Sequence, residues 1–194
     1  MNVKLKILFS IFMITALCFG FIEIYFPVEN YSFERLHIFL FNLCTGGTIL
    51  LYYTRGKQRV SKTIGLFFIG SLIYALSAFL KIYPLTILIS VLLFILVEKV
   101  RIEKFSLFPS GFFQSEESVS KKFHQASLLC LSIGIAMASL VILNNEYFKL
   151  VTMRLLTLDT FFLGFSFPLS LITCLLYTSP SPRDRTRSRM PSSA

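Results

Sequence analysis

The residues best suited to chemistry are ionisable side chains at the ends of, or inside, long apolar runs. Glu34, Arg35 and His37 open one such run, and Glu23 lies near the end of the run before it. Asp159 lies well inside a later run. Charged groups in a bilayer cost several kcal/mol, so they usually face a partner or a wet cavity. The sequence therefore predicts a polar intramembrane cluster formed by Glu23, Glu34, Arg35 and Asp159, next to His37.

Three interpretations of this cluster stay open. It is a functional site, or it is a structural ion pair or hydrogen-bonded core, or the last apolar helix is short and tilted and leaves Asp159 in water. Arg154 precedes Asp159 by five residues, a spacing that does not place two side chains on one helix face. We therefore expect Asp159 to pair with a group on another helix.

The composition indicates that the elements that position these residues lie in a lipid bilayer. Apolar residues make up 55% of the chain, phenylalanine supplies 22 of its 194 residues, and the mean hydropathy is +0.72. A soluble domain of this size could not bury so much apolar surface in one core. The fold class predicted is all-α, a polytopic transmembrane helical bundle of about six spans. These spans are 7–26, 36–53, 64–80, 84–97, 125–143 and 150–173.

The end of the chain resembles translated DNA of technical origin. Residues 174–184 (CLLYTSPSPRD) and 188–194 (SRMPSSA) resemble, in one frame, the conceptual translation of a sequencing adapter. We interpret 174–194 as a non-native, adapter-derived tail and 1–173 as the transmembrane domain. The alternative is a basic, disordered cytoplasmic tail. On the first interpretation the chain is truncated inside its sixth span.

The distribution of basic residues predicts the orientation of the bundle. With the N-terminus in the cytoplasm, most basic residues between spans lie inside, as is typical of membrane proteins. The inner set is Lys4, Lys6, Arg55, Lys57, Arg59, Lys62, Lys99, Arg101, Lys104, Lys121 and Lys122, and the outer set is Arg35, Lys81, Lys149 and Arg154. We expect an integral protein of the bacterial inner (cytoplasmic) membrane.

This topology separates the two histidines. His37 opens a helix that enters from outside and His124 opens one that enters from inside, so about 30 Å of hydrocarbon lies between them. A haem or metal site that uses both imidazoles is therefore excluded on this topology. For His124, which lies beside Lys121 and Lys122, we expect a position at the membrane interface.

Two features predict local helix geometry. Gly46 and Gly47 lie side by side in the second span, where small residues let a neighbouring helix approach closely. Pro168 lies in the sixth span, where its missing N–H predicts a kink. The kink is either a structural feature, as is common in membrane helices, or a gate.

The stretch 32–47 resembles the second helix of haem-copper oxidase catalytic subunits. Ser32-Phe33-Glu34-Arg35-Leu36-His37, with Gly46-Gly47 nine and ten residues beyond the histidine, is similar to the family's haem-ligand segment. The family pattern has two more residues before its histidine, and the copper-ligand histidines are missing here. The resemblance implies that His37 binds a b-type haem near the outer face, with Arg154 near the propionates.

Three functional hypotheses follow, from different classes. The first is a structural or assembly-type membrane subunit that contacts the lipid bilayer and other membrane subunits. The second is a haem-binding redox subunit that uses His37, and the third is a proton-coupled transporter that uses Asp159. Phosphate-binding loops and protease motifs are missing from the sequence, and its basic loops lack the features of a nucleic-acid site, so no nucleic acid is expected as a partner.

Overall fold

A computed structural model describes residues 3–26, 31–55, 61–105 and 119–151 of the chain. Every regular element within these ranges is a helix, which confirms the predicted all-α class. We number the helices α1 (Val3–Tyr25), α2 (Phe33–Arg55), α3 (Lys62–Phe79), α4 (Tyr83–Lys104) and α5 (Val119–Leu143). A π-helical turn, Asn144–Phe148, continues α5.

Four helices in the described ranges are long and apolar enough to cross a membrane, namely α1, α2, α3 and α5 with its π-helical continuation. The fourth predicted span, 84–97, lies within α4, which is 22 residues long and carries five charged residues in its last two turns. The predicted sixth span, 150–173, lies almost entirely outside the described residues. These helices are those of an integral membrane protein, and the count of six spans stays a prediction.

Helix α2 is the centre of the bundle. Its apolar stretch is 78% buried inside the protein, whereas that of α1 is only 11% buried. Nine residues in the middle of α2, Phe39–Gly47, form a π-helix, and nearly all of them are buried. Thr45 donates a hydrogen bond from its hydroxyl to the Leu40 carbonyl five residues back, at 2.9 Å. Long π-helical segments are rare, and shorter ones often occur at functional sites.

Helices α4 and α5 are joined by hydroxyl groups in their apolar interface. The Ser139 hydroxyl donates to the Ser90 hydroxyl at 2.6 Å, and the Ser90 hydroxyl donates to the Ile135 carbonyl at 3.0 Å. All three residues are buried. Hydrogen bonds of this kind between membrane helices are each worth about 1 kcal/mol.

The antiparallel helices bring polar residues together at two opposite ends of the bundle. We call these the Arg35 end, where α2 and α4 begin, and the Arg55 end, where α2 and α4 finish. A tight turn at the Arg35 end joins α3 to α4, and Lys81 adopts a left-handed conformation there with φ of 58°. Pro84 occupies the first turn of α4, where its missing N–H leaves no helical hydrogen bond unmade.

Candidate functional site

His37 is held against α1 by both a hydrogen bond and close packing. Its Nδ1 atom lies 2.8 Å from the Ala16 carbonyl oxygen. Gly20 lies one turn further along α1, and a Cβ added there would be only 3.2 Å from the same nitrogen. The imidazole therefore occupies a position that the absent side chain of Gly20 leaves open.

The hydrogen bond determines the tautomer of His37. A carbonyl oxygen only accepts, so Nδ1 must carry the proton and donate it to Ala16. In the neutral imidazole, Nε2 then keeps its lone pair. A histidine that donates from Nδ1 to a backbone carbonyl and presents a free Nε2 has the arrangement that commonly orients metal- and haem-binding histidines.

The imidazole of His37 lines a groove of about 450 Å³ between α1 and the start of α2. Two carboxylates, Glu23 and Glu34, line the same groove. The other lining residues are Leu17, Gly20, Phe21 and Ile24. The groove is therefore mainly apolar with three polar side chains in its lining, a composition typical of small-molecule sites.

Glu23 has a defined structural task at this groove. Its carboxylate accepts a hydrogen bond from the backbone N–H of Phe33, the first residue of α2, at 2.8 Å. The Ser32 hydroxyl caps the same helix by accepting from the N–H of Arg35 at 3.2 Å. A carboxylate at a helix N-terminus is stabilised by the free N–H groups and the helix dipole. Glu23 thus joins α1 to α2 as well as lining the groove.

Arg35 does not share the groove with Glu23, Glu34 and His37. It lines a second cavity of about 150 Å³ on another side of α2, together with Tyr83 of α4 and Glu146 at the end of α5. Successive helical residues point about 100° apart, so Glu34 and Arg35 diverge although they are neighbours in sequence. The structure therefore divides the described members of the predicted cluster between two places.

The surroundings of Tyr83 in this second cavity shift the pKa of its phenol. Burial raises the pKa of Tyr83, and the charge and hydrogen bonding of the Glu146 carboxylate raise it further. The positive charge of Arg35 acts in the opposite direction. The three residues therefore lie close enough to influence one another electrostatically.

A buried ion pair near the Arg55 end was not predicted. Glu98 and Arg101 of α4 lie three residues apart, and Nη2 of Arg101 is 2.6 Å from Oε2 of Glu98. Their side chains are only 16% and 6% exposed, respectively. Burial opposes ionisation of Glu98, but hydrogen bonding to Arg101 and Ser132 and the charge of Arg101 outweigh it, so the pKa of Glu98 is lowered. The three-residue spacing of opposite charges was the available sequence signal.

Further polar contacts join the helices at the Arg55 end. Arg55 forms an ion pair with Glu103 at 2.6 Å and donates to the Thr63 hydroxyl at 2.8 Å. The Thr54 hydroxyl donates to the Leu50 carbonyl, so Nε2 of His124 must donate to the Thr54 oxygen, 2.6 Å away. His124 therefore links α5 to α2 at the end of the bundle opposite to His37.

The glycine pair lies in the π-helical part of α2, where both residues are buried. A Cβ added at Gly47 would lie 3.0 Å from the Phe67 ring of α3. The absent side chain therefore allows α3 to pack closely against α2 at this position.

The predicted residues Arg154, Asp159 and Pro168 lie outside the described residues. Within the described ranges, no group of three or more His, Cys, Asp or Glu side chains is arranged to hold a metal ion. Comparison of the chain with known protein families, with curated proteins and with solved structures gives no match.

Proposed function

We propose that this protein is a structural or assembly-type subunit of a membrane complex. The observation that carries the proposal is the surface of α1, on which only Phe9 and Ala16 are buried. Large apolar side chains are exposed along the whole length of α1. Those at least 45% exposed include Ile7, Ile11, Ile14, Leu17, Phe21 and Ile24.

The polar contacts agree with this role. Glu23 joins α1 to α2, Arg55 joins α2 to α4, and His124 joins α5 to α2. Polar contacts between helices specify which helices pack together and in which register. In such a bundle the charged groups hold its own helices together. Helix α1 remains accessible to a further membrane subunit.

Site-specific photocross-linking in native membranes tests this proposal. A photoreactive residue at Ile14 of α1 is expected to yield one discrete protein adduct. The control position is Leu76 of α3, which is similarly exposed and is expected to give none. Adducts with lipid only at Ile14, Leu17 and Phe21 would contradict a subunit role. Loss of the adduct in Ile11→Arg would support contact through this face.

A second candidate function is a haem-binding redox subunit that uses His37. The observation that favours it is the hydrogen bond from Nδ1 to Ala16, which leaves Nε2 free at the groove. The resemblance of residues 32–47 to haem-copper oxidase catalytic subunits supports the same ligand. His37 fits the role of one axial ligand, and a bound haem b would supply one-electron transfer. Glu23 and Glu34 do not suit contact with anionic propionates, which would have to point away from them.

Visible absorption spectra of protein purified from haem-replete cells test this candidate. A Soret band in the wild-type protein that is lost in His37→Ala would support it. His124→Ala is the matched control, because His124 is hydrogen-bonded at the opposite end of the bundle, and it should leave the band unchanged. A colourless wild-type preparation would remove haem from consideration. The proton-coupled transporter hypothesis depends on Asp159, outside the described residues, and stays a prediction.

We further propose that the Arg55 end faces the cytoplasm of a bacterial inner membrane, with the N-terminus on the same side. The excess of basic residues near this end supports the orientation. A single cysteine introduced at Gln58, between α2 and α3, should resist a membrane-impermeant thiol reagent added to intact cells. One introduced beside Lys81 should react. The reverse labelling pattern would invert the topology.

A further inference from the structure

The groove between α1 and the start of α2 presents hydrogen-bond acceptors on both of its helices. Nδ1 of His37 donates to the Ala16 carbonyl, so Nε2 of the neutral imidazole keeps a lone pair that can only accept. The carboxylates of Glu23 and Glu34 line the same groove and, when ionised, are also acceptors only. A ligand that satisfies these three groups must therefore supply the donors.

Helical spacing explains why the three acceptors converge. Glu34 and His37 are three residues apart on α2, so they share one helix face. Gly20 and Glu23 have the same spacing on α1. The two faces meet at two points, because His37 packs against Gly20 and the Glu23 carboxylate accepts from the N–H of Phe33, the residue before Glu34. The acceptors therefore lie around one part of the groove.

The described lining of this groove carries negative charge without positive charge. It contains two carboxylates and, among the described residues, no lysine or arginine. Neither Glu23 nor Glu34 takes part in an ion pair within the described ranges. Both carboxylates lie at the N-terminus of α2, where the helix dipole stabilises negative charge. The ligand that complements this site is therefore a cation.

The remaining lining suits a ligand with an apolar body. Leu17, Phe21 and Ile24 line the groove and are exposed on the surface of α1. Leu17 lies six residues, or about 9 Å, from Glu23 toward the middle of the helix. The volume of about 450 Å³ falls within the range of about 300–1,000 Å³ that is usual for small-molecule sites. A charged head group with an apolar chain therefore matches both parts of the groove.

We propose that this groove binds a lipophilic primary amine as its ammonium ion. The ammonium group has three N–H donors, one for Nε2 of His37 and one for each of the carboxylates of Glu23 and Glu34. A primary alkylamine is protonated at neutral pH because its pKa, like that of a lysine side chain, is about 10.4. The apolar chain lies along Leu17 and Phe21.

A free amine fits this groove better than the headgroup of phosphatidylethanolamine does, because the lipid phosphate would lie beside two carboxylates. The proposal goes beyond the subunit role and does not depend on it. It does exclude simultaneous binding of haem iron to His37, because both ligands use the same Nε2 atom.

Calorimetric titration of the purified chain in a non-ionic detergent is the first test. Octylamine, titrated at neutral pH against a detergent blank, should bind in a ratio of one to one. Octyltrimethylammonium has the same chain and charge but no N–H donor, so it should bind at least about tenfold more weakly. Equal affinity for the two compounds would overturn the proposal, because charge and chain length alone would then account for binding.

A carboxylate variant tests the position of the site. Glu34→Gln should weaken octylamine binding about tenfold or more, because a neutral amide replaces the charged acceptor. Glu103→Gln is the matched control, since it removes one carboxylate at the opposite end of the bundle, and it should leave the affinity unchanged. Equal weakening by both variants would overturn the proposal in favour of unspecific attraction. The comparison of the two probes on the wild-type protein decides the question if Glu34→Gln fails to fold.

Photolabelling locates the bound chain. Octylamine that carries a diazirine on its chain should label α1 between Leu17 and Ile24, and excess octylamine should prevent this labelling. Even labelling of the exposed faces of α1 and α3 would show partition into the detergent shell and would overturn the proposal.

Two competition experiments separate the amine from other occupants of the groove. Nanodiscs of phosphatidylethanolamine that abolish octylamine binding, where phosphatidylcholine nanodiscs do not, would assign the acceptors to a lipid headgroup and overturn the free amine. A Soret band in the purified protein that excess octylamine leaves unchanged would place haem on His37. That result would overturn the amine proposal and leave the haem candidate standing.

Discussion

The His37 imidazole and Gly20 are in direct contact across the α1–α2 interface. A Cβ at position 20 would lie 3.2 Å from Nδ1 and 3.3 Å from Cγ of the imidazole, closer than side chains normally approach. The same nitrogen is 2.8 Å from the Ala16 carbonyl. Glycine at position 20 is therefore what allows His37 to be anchored on α1 with its Nε2 atom free.

Gly20→Ala should destabilise the wild-type protein and not the His37→Ala variant. Overpacking costs about 1–3 kcal/mol, and the better helix propensity of alanine returns up to about 1 kcal/mol, so we expect a net loss of about 1 kcal/mol. Without the imidazole only the gain from propensity should remain. Thermal unfolding of the four proteins of this double-mutant cycle in detergent measures the difference. Equal effects in both backgrounds would show that His37 does not contact position 20.

Two other glycines provide a matched comparison of packing. Alanine at Gly47 would place a Cβ 3.0 Å from the Phe67 ring, whereas alanine at Gly65 would meet nothing within 4 Å. Gly47→Ala should therefore lower the thermal midpoint, at a cost of about 1–3 kcal/mol. Gly65→Ala should raise the thermal midpoint slightly, because the better helix propensity of alanine stabilises the fold by up to about 1 kcal/mol. Destabilisation of similar size at both positions would contradict the close packing of α2 on α3.

Removal of one carboxylate charge should cost more at Glu98 than at Glu103. Glu98→Gln removes the carboxylate charge that pairs with the guanidinium of Arg101, a residue only 5% exposed. Removing one partner of a buried ion pair lowers the free energy of unfolding by up to about 3–5 kcal/mol. Glu103 is 43% exposed, so loss of its pair with Arg55 should cost about 1 kcal/mol or less. Chemical denaturation of both variants under one set of detergent conditions tests this order. Equal losses of stability in the two variants would refute it.

The Glu98 pair also predicts a loss of stability in acid. The pKa of Glu98 is lowered in the folded protein from an ordinary value of 4.5. A lowered folded-state pKa contributes stability above the unfolded pKa, and this contribution disappears as the pH falls through the folded value. The stability difference between wild type and Glu98→Gln should therefore be constant near neutral pH and shrink below pH 4.5. A difference that grows on acidification would reverse the sign of the inferred shift.

The sequence by itself determined the class of the protein, because hydrophobic burial follows from composition. Uninterrupted apolar runs must be helical in a bilayer, since every backbone N–H and C=O group needs a partner within its own segment. The all-α class follows from this rule. Helix ends did not, because charged residues such as Lys99 and Glu103 continue α4 beyond its apolar part.

The tertiary structure alone decided which polar residues meet. Glu34 and Arg35 are adjacent in sequence, yet they line different cavities because a helix turns its side chains by about 100° per residue. The anchoring of His37 depends on Ala16 and Gly20, two apolar positions with no chemical signature in the sequence. Composition thus set the environment of the helices, and the contacts between them set the chemistry of each side chain.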